Sequence, residues 1–352
     1  MTTTATPARL PWLDSARGMA ILLVVFHHTI LYTGAVGVAH PVWVYLNGAL
    51  NTFRMPLFFF VSGLLAARAV RRDWRTLLRG RVALLVWVYV VWSLTAGTWF
   101  RVIPNLRSVG GRSWASLPWS ILTATTSIWY LCALAIFLVI ARAVRGVPTW
   151  PILAVTGAIS LVFGADLVVP SSWAWQSMAM YAVFFFAGNR LHAPVLAWAQ
   201  SPVGWPLAVG ALAGYVVLTG ACFAAFGSDV LSTPGVRPLL SSAAVAAGCL
   251  VARWAATVRV GRGLTAVGRL TLPFYVMHGM IVGALALAFL PFADGVLREP
   301  LALVAPLLVA VVGIALTAVL RPAVERIPGA LSLPRAFGPP AAAPSPPERA
   351  LP

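Results

Sequence analysis

The chain has no lysine: all 25 of the basic residues among its 352 are arginine. Acidic residues are scarce too, eight in all, and charged side chains make up 9% of the sequence against the roughly 25% of an ordinary soluble domain. So few charges cannot cover a water-facing globular surface, which excludes that class. Three cysteines, Cys132, Cys222 and Cys249, lie inside apolar segments without metal-ligand spacing. They exclude a disulfide framework and read as small buried residues. The formal charge of +17 invites a nucleic-acid partner. The arginines, however, gather in alternate connections rather than on one basic face, so no nucleic acid is expected.

What is present is hydrophobicity, at 60% of residues, in blocks of about 20 that suit a hydrocarbon core. The fold class is therefore all-α: a polytopic membrane protein with spans at residues 15–36, 46–67, 82–100, 119–140, 150–169, 174–190, 203–226, 237–256, 268–290 and 300–320. With the N-terminus in the cytoplasm, nineteen arginines fall inside and five outside, with Arg54 within a helix, so both termini are assigned to the cytoplasmic side. Residues 1–10 form a short cytoplasmic N-terminus. The apolar run that follows contains charge and no nearby small-x-small cleavage site, so it reads as a retained helix. The membrane domain covers 11–325, and the Pro/Ala-rich stretch 326–352 reads as a disordered cytoplasmic tail. Membrane lipids are the surrounding partner. The connections are too short for a soluble domain, so whatever the chain does is done within the bundle.

Polar residues inside that bundle need explaining. The stretch "WLDSARGMAILLVVFHHT" puts Asp14, Arg17 and His28 on one side of a helix, with Arg17 and His28 separated by a rise of about 16 Å. His27 points about 80° away from the Arg17 direction. Ionisable groups at such depth face a cavity or a partner. A desolvated imidazole favours its neutral form, which accepts a proton from a hydroxyl, so His28 is a candidate general base; packing against a neighbouring helix is the plainer alternative. "NTFRMPLFFFVSG" buries Arg54, which either meets an anion or carbonyl group or snorkels outward. "LTLPFYVMHGMIV" places His278 near mid-membrane. "SIWYL" carries Trp129 and Tyr130, which read first as an aromatic packing pair, and Ser62 with Gly63 suits close helix approach. The loop "RAVRRDWRTLLRGR" has six arginines, suited either to orientation and anionic lipid or to a phosphorylated ligand.

These residues, in this order, resemble the membrane-bound acyltransferase 3 family. The likeness runs from "LPWLDSARGMAILLVVFHHT" through "FRMPLFFFVSGLL", "RVALLVWVYVVW", "SIWYL" and "YAVFFFAGNRL" to "LPFYVMHGMI", about residues 10 to 320. The resemblance implies a multi-pass protein of about ten helices in the cytoplasmic membrane of a bacterium. It implies transfer of an acyl group from a cytoplasmic donor such as acyl-CoA to hydroxyls of glycans, lipids or metabolites. It carries essential roles over to Arg17 and His28, with the loop's Arg-x-x-Arg element matching Arg72 and Arg75 by spacing, and Arg79 and Arg81 leading into the third span. Some relatives continue into a soluble hydrolase-like domain, which is not expected to be needed here. The motifs lean towards a glucan-succinylating branch, which leaves acetyl-CoA and succinyl-CoA both open as donor.

The expected reaction is acyl transfer, with His28 taking the acceptor proton and Asp14 pairing with Arg17. Arg72, Arg75, Arg79 and Arg81 would hold the donor, and Arg54, His278, Trp129 and Tyr130 would line the acceptor side. Direct transfer and an acyl-histidine intermediate both fit. The lack of a Gly-x-Ser-x-Gly elbow argues against a serine-hydrolase arrangement, and no metal cluster is evident. A transporter or flippase for a polar or anionic substrate is the competing class, because intramembrane His and Arg suit a substrate path as well.

Overall fold

A computed structural model describes residues 10–103, 113–259 and 261–334. Residues 1–9 of the N-terminus, most of the loop after the third span and the tail from 335 lie outside the described residues. Every described element is helical. They are α1 (Pro11–Ala35), α2 (Pro41–Ala49), α3 (Asn51–Val70), α4 (Trp74–Val102, with a π-helical turn at Leu78–Val82), α5 (Ser116–Leu122), α6 (Trp129–Ala143) and α7 (Thr149–Gly164). There follow α8 (Trp173–Arg190), α9 (His192–Trp198), α10 (Trp205–Phe226), α11 (Val236–Ala255), α12 (Gly261–Arg269), α13 (Thr271–Ala286, extended by a 3₁₀ turn at Leu287–Phe292) and α14 (Arg298–Glu325).

Seven of these segments are long and apolar enough to cross a membrane: α1, α2 with α3, α4, α10, α11, α13 with its extension, and α14. Helices α6 and α7, with 15 and 16 residues, rise only about 22–24 Å against a hydrocarbon core of about 30 Å. Leu10 and Leu331 to Leu333 line the same cavity, so the described chain starts and finishes at one face of the bundle.

The segment expected at 119–140 is broken. α5 stops at Leu122 and α6 starts at Trp129, with Ala124 left-handed at φ 56° between them. The intervening "TATTS" explains the break, since Thr and Ser hydroxyls compete for backbone groups and β-branching disfavours the helix. Thr123 Oγ1 donates to the Trp119 carbonyl at 2.8 Å, and the chain turns back through Thr125 N–H to Ser120 O at 2.9 Å. Neighbours satisfy the freed groups: Tyr89 hydroxyl donates to Ile121 O at 2.7 Å, and Ser93 and Thr126 hydroxyls meet at 3.0 Å. Ser120, Thr125, Thr126 and Ser127 line a cavity, a setting in which irregular backbone is tolerated within a membrane protein.

Glycine lets helix backbones approach where the site is built. A Cβ on Gly63 would run into the Phe185 carbonyl, and one on Gly188 into that of Phe60, so α3 and α8 clasp reciprocally. Gly18 and Gly268 do the same for α1 and α12, against the carbonyls of Leu264 and Asp14. Ser15 and Thr265 hydroxyls add a buried bond of 2.8 Å across that second contact. These contacts fix α1, the helix that carries Arg17 and His28.

Residues 326–334, which composition assigns to the tail, are instead held against α4. The Trp87 and Trp92 indole N–H groups donate to the carbonyls of Gly329 and Ala330 at 2.8 and 2.7 Å. Paired backbone of this kind gives the segment a fixed place that composition alone does not reveal.

Candidate functional site

Three cavities follow one another through the bundle. The first, about 1210 Å³, is lined by Arg17 of α1, Arg68 of α3, Arg72 from the turn after it, and Arg75, Arg79 and Arg81 of α4. Asp14 is the one carboxylate among its lining residues. The Asp73 carboxylate caps α4 by accepting the Thr76 N–H at 2.9 Å, and the π turn then spaces Arg79 and Arg81. So much positive charge in one concavity suits a polyanion, with guanidinium forks matching phosphate oxygens.

His192 closes another side of this cavity. Burial, and then the charges of Arg71 and Arg68, hold its imidazole below the ordinary 6.5. The unfolded chain therefore takes up this proton first as pH falls through 6.5, so acidification removes stability. Between pH 7 and pH 5 the melting temperature of detergent-solubilised protein is expected to fall less for His192→Asn than for the wild type, read by scanning fluorimetry.

A narrow apolar passage of about 220 Å³ leads on from the first cavity and shares Arg17 and Arg81 with it. Its walls include Phe58, Ser62, Tyr130 and Tyr275. Tyr130 stacks on Phe58 with centroids 4.4 Å apart, and its hydroxyl meets Ser62 Oγ at 2.5 Å. The passage abuts a third cavity of about 480 Å³, lined by His27, His28, Arg54, Arg101, Trp129 and Tyr275 among others. No carboxylate is among the residues lining this third cavity.

The tautomers of the two deep histidines follow from their partners. His278, 1% exposed, has Nδ1 at 2.7 and 3.1 Å from the carbonyls of Tyr275 and Phe274. A carbonyl only accepts, so the proton of neutral His278 sits on Nδ1 and its Nε2 is bare. That Nε2 lies 3.1 Å from His28 Nδ1, which is itself 2.9 Å from the Val24 carbonyl. Both partners of His28 Nδ1 are acceptors, so Nδ1 carries the proton there as well. The lone pair of His28 is thereby left on Nε2, and His28 lines the third cavity.

Comparison with known proteins settles the class. A family model described as an acyltransferase domain, that of acyltransferase 3, matches residues 10–320. The chain belongs to the acyltransferase 3 family. It is also similar to the inner membrane protein YcfT of Escherichia coli (strain K12), being 28% identical over 152 residues, which cover 37% of this chain and 43% of that protein. The chain thus spans less than half of that curated relative. No solved structure matches it. An acyltransferase domain carried on long apolar helices makes this a multi-pass membrane protein of an acyltransferase family.

The acyltransferase 3 motif residues are dispersed along α1 rather than gathered at one point. Asp14 and Arg17 line the first cavity, and His28 lines the third. Asp14, 5% exposed, has Arg269 of α12 at 3.4 Å from its Oδ2, a partner 255 residues away that sequence spacing does not indicate. Arg72, Arg75, Arg79 and Arg81 all line the first cavity with Arg17. Arg54 does not snorkel: it is 6% exposed, bonded to Asn47 Oδ1 (3.0 Å), the Asn47 carbonyl (3.1 Å) and Asn51 Oδ1 (3.2 Å). Trp129 and Tyr130 part company, Trp129 lining the third cavity beside Trp173 and Tyr130 the passage. Sequence reasoning misses His27, whose Nδ1 lies 2.9 Å from Asn47 Oδ1, so that one asparagine links it to Arg54. It also misses Tyr275. The signal for His27 is its place beside His28, and for Tyr275 its place three residues before His278 on one helix face.

Proposed function

We propose that this chain is an integral membrane O-acyltransferase that moves an acetyl, succinyl or similar group from acyl-CoA to a hydroxyl of a cell-envelope glycan, lipid or small metabolite. One observation carries the reading: residues shared between successive cavities link six arginines at one end to a histidine base at the other. The nucleotide and phosphates of the donor sit among Arg17, Arg68, Arg72, Arg75, Arg79 and Arg81, on the cytoplasmic side. The long phosphopantetheine arm spans the rise of about 16 Å between Arg17 and His28. Helices α6, α7 and α8 complete ten crossings, which leaves both termini in the cytoplasm.

At the far end, His28 Nε2 takes the proton of the acceptor hydroxyl as its oxygen attacks the thioester carbonyl. The C–S bond then breaks, and the departing thiolate takes that proton back from the imidazolium to leave as the free thiol. As His28 becomes cationic, its Nδ1–H bond to His278 Nε2 becomes charge-assisted, so His278 stabilises the imidazolium and holds its ring. Arg54, kept in place by Asn47 and Asn51, supplies a fixed positive charge for the carbonyl oxygen as it becomes anionic. Asp14 and Arg269 brace α1 rather than touch the reacting atoms.

Purified protein in nanodiscs, given acetyl-CoA or succinyl-CoA and a mixed glycan and lipid extract, is expected to release free CoA. In His278→Leu, kcat falls by about 10–100-fold with little change in donor KM, the worth of one hydrogen bond to a charged group. His278→Gln, whose amide oxygen can still accept from Nδ1–H, recovers part of the loss. Absence of CoA release from either donor, in protein that carries an extract component across the bilayer unchanged, would replace this reading with transport.

A further inference from the structure

Tyr275 occupies a position that the mechanism above does not use. Among the described residues it is the one that lines both the apolar passage and the histidine cavity. Its side chain therefore stands where the passage and the histidine cavity meet. The ring is buried, at 3% exposed. Its hydroxyl accepts the Tyr130 N–H at 3.2 Å and donates to the Ser127 carbonyl at 3.4 Å, and its ring meets Tyr130 (5.6 Å) and Phe58 (6.4 Å) edge-on and His278 (5.9 Å) at a tilt. Its neighbour Tyr130 is the opposite case, stacked flat on Phe58 and tied to Ser62 at 2.5 Å.

Tyr275 lies three residues before His278 on α13, and its ring meets the His278 ring at 5.9 Å. Its backbone is fixed, because its carbonyl accepts from His278 Nδ1 at 2.7 Å. One turn further on stands Gly279. A helical side chain leans back over the preceding turn, so a glycine there removes side-chain bulk from above Tyr275. A Cβ at Gly279 would make ordinary van der Waals contact with the Tyr32 hydroxyl at 3.5 Å and Ser127 Oγ at 3.9 Å. The pair is one ring stacked flat on Phe58 and one that meets it edge-on.

We propose that Tyr275 is the threshold over which the acyl end of the donor passes to reach His28, and that its bulk sets the largest acyl group admitted. This rests on the acyl-donor reading. No bond is made or broken by Tyr275; it selects by size, and a swing of its side chain opens the way.

The test measures kcat/KM for acetyl-, butyryl- and hexanoyl-CoA with wild type, Tyr275→Phe and Tyr275→Ala in nanodiscs. In Tyr275→Ala the preference for hexanoyl over acetyl rises by about tenfold or more, the scale on which a filled or emptied pocket discriminates methylenes. Tyr275→Phe keeps the ring and so keeps the wild-type preference. A second arm needs no turnover and separates this proposal from the reading beneath it. Cys132, Cys222 and Cys249 are replaced by Ala, and Ser177→Cys places a thiol in the histidine cavity. A sulfonate-bearing methanethiosulfonate is then added from the arginine side of proteoliposomes, with a quencher on the other. Modification is expected to be much faster in Tyr275→Ala, and about 2–10-fold faster in Tyr275→Phe through loss of one weak hydrogen bond. Equal modification rates in all three, or a donor preference in Tyr275→Ala identical to wild type, overturns the proposal. Thiol rates that respond as expected while no donor releases CoA would keep the threshold and remove acyl-CoA as what crosses it.

Discussion

His28→Asn is expected to lower kcat by about 10²–10⁴-fold, the range assigned to loss of a positioned general base. The choice of asparagine matters. Its amide N–H₂ occupies the place of Nδ1–H and can still donate to the Val24 carbonyl and to His278, which lie 2.9 and 3.1 Å from Nδ1 in the wild type. The variant therefore keeps the packing of α1 on α13 and lacks only a proton acceptor at the Nε2 position. Single-turnover rates at saturating donor and acceptor, with the melting temperature as control, measure the effect. A turnover near wild type in this variant would remove His28 from the chemistry and leave it as a packing residue. An equal loss of turnover and of stability would make its part structural.

Arg17→Gln comes next in expected effect, and its signature is different. Arg17 stands where the arginine cavity meets the apolar passage, about 16 Å along α1 from His28. It can hold a phosphate but cannot reach the atoms His28 acts on. The loss should therefore fall on donor KM, with kcat/KM reduced about 10–150-fold, as for a hydrogen bond to a charged group. Arg17→Lys restores the charge without the fork and recovers only part of the loss. High salt weakens donor binding to the wild type, most through the exposed outer arginines. A fall in kcat alone, with donor affinity intact, would contradict the division of labour along α1.

Much of this arrangement is legible in the order of the residues alone. The spacing of Arg17 and His28, three turns apart in an apolar run, requires a helix with a polar stripe, and that helix is α1. The arginines after Val70 suit either membrane orientation or an anionic ligand, and all those named for the donor line one cavity. What stays hidden depends on residues far apart in the chain. Nothing local to Asp14 points to Arg269, and nothing local to His28 points to His278, since each pair is joined only by the packing of α1 against α12 and α13. The break at 123–128 is written in "TATTS", but an apolar window about 20 residues long averages over such a run. The bonds from Trp87 and Trp92 to the Gly329 and Ala330 carbonyls likewise join residues 242 and 238 positions apart.

The reciprocal glycine contact between α1 and α12 has a consequence for biosynthesis. Gly18 and Ser15 meet partners, Leu264 and Thr265, that are separated from them by roughly 250 residues. At about 5–20 residues per second, the ribosome delivers those partners roughly 10–50 s after α1 has emerged. For that interval α1 sits in the bilayer with its glycine face and its buried aspartate uncovered. It must be sheltered there by the insertion machinery or by the intervening helices. The helix that carries His28 is thus among the first made, and its glycine contact is completed only near the end of synthesis.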